Sequence, residues 1–142
     1  MPVRTASAHW AGSITDGRGS IKASSGAVDA PYSFGSRFEE RAGTNPEELL
    51  GAAHAGCFTM ALALGLSEAG HPPERVDTTA RVSIEREASG YRITHIVLRT
   101  DATVPGIDAG EFQRFAEAAK LSCPVSRALA GTEIELEAAV LA

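Results

Sequence analysis

The chain has 142 residues, 44% of them hydrophobic and 22% charged, the composition of a single soluble domain (residues 1–142) and not of a disordered tail or a fibrous repeat. Its net charge is −5, and its 13 Lys and Arg are scattered without a basic run. Nucleic acid and anionic membrane surfaces, which are held by clustered cations, are therefore not expected as partners. The two cysteines, Cys57 and Cys123, are too few for the disulfide framework of a small secreted protein. They read either as buried bystanders or as a redox pair in a reducing compartment. The opening MPVRTASAHW lacks the apolar stretch of a signal peptide, so a cytoplasmic protein is expected.

Three β-compatible stretches come first: Val3 to Trp10, Arg18 to Ser24 after the turn Thr15-Asp16-Gly17, and Tyr32 to Phe38 after Pro31. A helix start follows. Asn45 is suited to the N-cap, Pro46 to the first helical position, and Glu47 and Glu48 to the positive end of the helix dipole. This helix is expected to run to about Ala69, with Gly70 ending it and Pro72-Pro73 forbidding continuation. From Leu49 to Ser67 it carries 19 residues without a formal charge, near the lower limit for a membrane span. His54, Cys57, Thr59, Ser67 and three glycines within it, and the absence of flanking Lys or Arg, favour a soluble helix buried on most of its faces.

Two long alternating segments, Val76 to Glu87 and Tyr91 to Val104, form a hairpin through Ala88-Ser89-Gly90. Asp108 caps a helix over Ala109 to Leu121, in which Phe112, Phe115, Ala116 and Ala119 recur at helical spacing. A short helical turn from Cys123-Pro124 to Ala130 and a last strand over Thr132 to Leu141 complete the order β-β-β-α-β-β-α-α-β. Strands that cluster in this way predict an α+β fold with mostly antiparallel sheets. One sheet covers only one side of the long apolar helix, so a homodimer with that helix at the shared core is expected.

Four residues stand out as candidates for chemistry. Cys57 lies about ten residues into the long helix, beyond the reach of the helix dipole; it is inert unless folding brings a cation beside it. Cys123 precedes Pro124 and so suits an N-cap, where free N–H groups lower a thiol pKa. Arg37 is placed on the third strand and Glu47 in the first turn of the long helix. Glu47 and Cys57 are ten residues apart, about 15 Å along a straight helix. For both to serve one site, either the helix breaks near Gly51 or Gly56 or two subunits contribute. The histidines, His9, His54, His71 and His95, show no metal-ligand spacing, and no phosphate loop appears, so neither a metal nor a cofactor is expected. His54, three residues before Cys57, leaves a Cys–His nucleophile pair open.

The run Gly43-Thr44-Asn45-Pro46-Glu47-Glu48-Leu49-Leu50-Gly51-Ala52-Ala53-His54-Ala55-Gly56-Cys57-Phe58 resembles the first signature of the OsmC/Ohr family, and Cys123-Pro124-Val125-Ser126 its second. Ala8-His9-Trp10, Ser36-Arg37-Phe38-Glu39 and Val104-Pro105-Gly106-Ile107-Asp108 match the OsmC branch as well. The resemblance implies an OsmC-like fold, with sheets wrapped around long central helices in an intertwined homodimer. It also implies a thiol-dependent peroxidase of stress defence that reduces organic hydroperoxides and, less well, hydrogen peroxide. Within it, Cys57 matches the peroxidatic cysteine, Cys123 the resolving one, Arg37 the arginine beside the reactive sulfur and Glu47 the glutamate holding that arginine. A Cys57–Cys123 disulfide, reduced by an external dithiol such as a lipoyl group, is the implied turnover intermediate. The competing readings are a non-catalytic module that binds a small apolar ligand, and a Cys–His hydrolase using Cys57 and His54.

Overall fold

The computed structural model describes residues 1–141, which divide into two compact units, one of residues 1–49 and one that begins at Leu50. In the first unit, β1 (Ala6–Ala11), β2 (Arg18–Ala23) and β3 (Asp29–Tyr32) form an antiparallel sheet in that order. Gly19 is central to it. It pairs with Trp10 on one side and Tyr32 on the other, and a Cβ there would lie 2.5 Å from the Tyr32 ring and 2.6 Å from that of Trp10. The missing side chain lets the two rings meet edge-on, 5.3 Å between centroids.

The third strand differs from the sequence expectation. It ends at Tyr32, and Phe34–Phe38 forms a short helix, α1, so Arg37 is helical. The cause is a capping box: Ser33 Oγ accepts from the Ser36 N–H, and the Ser33 N–H donates back to Ser36 Oγ. Ser36 Oγ also donates to the Thr44 carbonyl at 2.8 Å, and Asn45 Nδ2 donates to the Ser36 carbonyl at 3.1 Å. These bonds tie α1 to the start of α2 (Pro46–Glu68), whose N-terminus is capped as the sequence predicts: Asn45 Oδ1 accepts from the Glu48 N–H.

In the second unit, β4 (Arg75–Glu87) and β5 (Gly90–Thr103) pair as the expected antiparallel hairpin. The strand β6 (Glu133–Leu141) lies beside β5 in parallel, because α3 (Ala109–Ser122) and α4 (Pro124–Ala128) form the crossover that a parallel pair requires. The architecture is thus α+β, with one antiparallel and one mixed sheet. Gly70 ends α2 at φ +86°, and the His71 N–H bonds back to the Leu66 carbonyl. The core of this unit joins Phe58, Leu62 and Leu66 of α2, Ile96, Leu98 and Ala102 of β5, and Phe112, Ala116 and Ala119 of α3.

Within one chain α2 is covered on one face only, not on most of them. His54, Phe58, Leu62 and Leu66 form a buried row at four-residue spacing. Two positions round the helix, Ala52, Gly56, Met60 and Leu64 form an exposed row, with Met60 75% accessible. Of the described residues, α2 alone is a helix long and apolar enough to cross a bilayer. Its buried row packs into a protein core, and His54 on that row is hydrogen-bonded within the unit, as a core helix requires.

Candidate active site

In the first unit, α1 presents Arg37 to Glu47 in the opening turn of α2. Arg37 Nη2 donates to Glu47 Oε1 at 2.7 Å, and Nε lies 3.1 Å from Oε1 and 3.3 Å from Oε2. The carboxylate is buried (side chain 8% exposed) while the guanidinium is 35% exposed. Nε and Nη2 are thus committed to Glu47, and Nη1 remains for another acceptor. The guanidinium carbon also stands 5.2 Å from the centre of the Phe38 ring. A cavity of about 210 Å³ opens beside it, lined by Trp10, Ile14, Tyr32, Ser33, Phe34, Arg37 and Phe38: one cation and one serine on a wall that is mostly aromatic and apolar. The other arginine nearby in sequence, Arg41, is exposed and pairs with Glu39 at 3.3 Å.

In the second unit the fold packs Cys57 of α2 against the core cluster that holds Cys123, which precedes α4, and the two thiols influence one another across 66 residues of sequence. Both are free thiols; Cys57 is half-buried and Cys123 fully buried. Their acidities are pushed apart. Burial raises the Cys57 pKa, and the hydrogen bond it gives Cys123 raises it further, against a lowering contribution from the Val125 N–H. Burial acts upward on Cys123 too, but the neighbouring donors, Cys57 first and then Ser126 and Val125, together outweigh it and leave this thiol below its ordinary value. Cys123 occupies the N-cap position of α4 without closing a side-chain capping bond. The Ser126 hydroxyl and the N–H groups of Val125 and Ser126 act on its sulfur from close range instead.

The structure gives His54 a different partner from the one weighed in the sequence. Its Nε2 lies 2.7 Å from Ser126 Oγ, and the influences on Cys57 come from burial, Cys123 and Val125. A Cys57–His54 nucleophile pair is not formed. Ser126 is the residue sequence reasoning passed over: it appears there only as the last letter of Cys123-Pro124-Val125-Ser126, and its partner lies 72 positions away. Among the described residues no group of three or more His, Cys, Asp or Glu is placed to hold a metal ion.

The family model for OsmC-like proteins matches residues 38–137. The chain is 51% identical over 123 residues to the peroxiredoxin OsmC of Escherichia coli K12, covering 86% of each chain. It is 31% identical over 133 residues to the organic hydroperoxide resistance protein-like 1 of Staphylococcus saprophyticus, covering 89% of this chain and 92% of that one. Among solved structures it resembles the organic hydroperoxide resistance protein OhrB of Bacillus subtilis, with a TM-score of 0.71 and 26% identity over 94% of this chain and 97% of that one.

Proposed function

The chain belongs to the OsmC-like protein family, and on that premise we propose how this cysteine-based peroxidase works and on what. The observation that carries the reading is the juxtaposition of Cys57 and Cys123, two free thiols packed in and against one protein core. In the proposed cycle the Cys57 thiolate attacks the terminal oxygen of a hydroperoxide. The O–O bond breaks, the alkoxide takes a proton and leaves as the alcohol, and Cys57 is left as a sulfenic acid. Cys123 then attacks the Cys57 sulfur, water leaves, and a Cys57–Cys123 disulfide forms. An external dithiol, such as a lipoyl group, reduces it by exchange and is itself oxidised to a disulfide.

Cys57 needs a cation, since burial raises its pKa. Arg37 is assigned that role. Glu47 holds two of its nitrogens, so Nη1 is aimed rather than free to wander. The ten-residue spacing of Glu47 and Cys57 on a helix without a break supports a site completed in a homodimer. The exposed row Ala52, Gly56, Met60 and Leu64 supports the same assembly: it is apolar, and the large Met60 and Leu64 would be covered by a second copy's α2. Organic hydroperoxides are favoured over hydrogen peroxide because the Arg37 cavity offers aromatic walls to an alkyl group and little to a small polar molecule. The family match, which crosses the division at Leu49/Leu50, supports a single OsmC-like domain. The reducing cytoplasm suits a resting state with both thiols free.

Rapid mixing with cumene hydroperoxide, followed by thiol titration, tests the reading. The expected result is loss of both thiols in the parent chain, none in Cys57→Ser, and one sulfenic acid per chain in Cys123→Ser. No thiol loss in the parent would leave the cavity as a mere apolar ligand site and sink the peroxidase reading. First-turnover failure in Cys123→Ser alone would reverse the two cysteine roles.

A further inference from the structure

His54 is fully buried on α2 and makes one hydrogen bond, to Ser126 Oγ at 2.7 Å; its Nδ1 is buried without a partner. Burial pulls its pKa below the ordinary imidazole range, so the ring is neutral and carries one N–H. With the proton on Nδ1, a buried donor would lack any acceptor, the rarer and costlier arrangement. With it on Nε2, His54 donates to Ser126 Oγ and only an acceptor goes unused. The serine hydrogen is then free for its other neighbour, the Cys123 sulfur. Ser126 itself is buried, so water does not compete for that bond.

We propose that His54 and Ser126 form a hydrogen-bond relay directed at Cys123, in which His54 positions the hydroxyl of Ser126, three residues beyond the N-cap Cys123, to donate to the Cys123 sulfur. The titratable groups facing Cys123 are Cys57 from α2 and, through Ser126, His54 from the same helix. The use of the relay rests on the peroxidase reading. In resolution, Cys123–S⁻ attacks the Cys57 sulfenic sulfur, the S–O bond breaks, and hydroxide leaves to become water. In recycling, a thiolate of the dithiol attacks the Cys57 sulfur, the S–S bond breaks, and Cys123 departs with the electron pair. A stabilised thiolate leaves faster, which directs the incoming thiol to Cys57.

The test is carried out in Cys57→Ser protein without peroxide, by following iodoacetamide alkylation of Cys123 against pH. Adding Ser126→Ala is expected to raise the midpoint by about one unit, a tenfold loss of thiolate below it. Adding His54→Met is expected to raise it by less, and Ser126→Thr, which keeps the hydroxyl, to restore it. An unmoved midpoint in Ser126→Ala, or one raised equally by Thr and Ala, overturns the relay. If the alanine variant does not fold, the Thr and Met variants decide: a His54→Met midpoint equal to that of the parent overturns it. With Cys57 intact, Ser126→Ala should slow reduction by dithiol severalfold. The titration judges the relay even if the parent chain consumes no hydroperoxide, so the two readings fail separately.

Discussion

Replacing Glu47 by glutamine removes the charge from a buried carboxylate that holds Arg37 through contacts of 2.7, 3.1 and 3.3 Å. Two unit charges about 4 Å apart attract by about 4 kcal/mol at an effective dielectric of ~20. Two things reduce that figure here. Glu47 gave up most of its hydration when it was buried, and the guanidinium is 35% exposed and screened by water. A glutamine oxygen also keeps one of the bonds. The net loss should be about 1–2 kcal/mol, a fall in melting temperature of roughly 3–6 °C for a domain of this size. The effect on turnover is separate: an arginine held by one bond no longer aims Nη1, and kcat/KM for cumene hydroperoxide should drop about tenfold to a hundredfold. Arg37→Lys keeps the charge but not the fork, so it should lose a similar factor, and the double variant little more than either single one. The measurements are thermal unfolding by circular dichroism and steady-state peroxidase kinetics on the four proteins. Additive losses in the double variant, or Glu47→Gln within twofold of the parent in kcat/KM, would refute the claim that Glu47 acts through Arg37.

Gly19→Ala places a Cβ against Tyr32 and Trp10, and should cost about 1–3 kcal/mol and shift the emission of Trp10, the single tryptophan; unchanged emission would show the ring pair is not set by the glycine. Imidazole NMR should find His54 titrating below 6.5, through burial, and His95 above it, held mainly by Glu135 at 2.8 Å; Glu135→Gln should bring His95 back down. The signs for stability are opposite. The unfolded chain protonates His54 more readily, so its contribution is lost as pH falls below about 6.5, whereas that of His95 is full below 6.5 and is lost as pH rises through its elevated pKa. Urea midpoints for a His54→Gln variant should therefore fall less between pH 7.5 and 5.5 than those of the parent. Met60→Lys, in the middle of the exposed row on α2, should turn a dimer into a monomer in light scattering at micromolar concentration; an unchanged mass would place the interface elsewhere.

The sequence by itself determined the elements whose signals are local. Asn45, Pro46 and Gly70 bound α2, and Asp108 starts α3, because a cap is a bond between residues two to five apart that needs nothing from the rest of the chain. The β4–β5 hairpin follows from alternation for the same reason. The Ser33-x-x-Ser36 box is equally local, yet the stretch after Pro31 is expected as a strand carrying Arg37; the bonds from Ser36 to Thr44 and from Asn45 to Ser36 anchor it as a helix. The remaining contacts are long-range; the resemblance implied two of them, Arg37 with Glu47 and Cys57 with Cys123, and tertiary structure decided the others. The parallel seat of β6, the partnership of Arg37 with Glu47, the Cys57–Cys123 contact and the His54–Ser126 bond all join residues ten to 72 positions apart. The two motifs named the cysteines as a pair. Which one is the more acidic depends on burial and on who donates to whom, and those are properties of the packed chain.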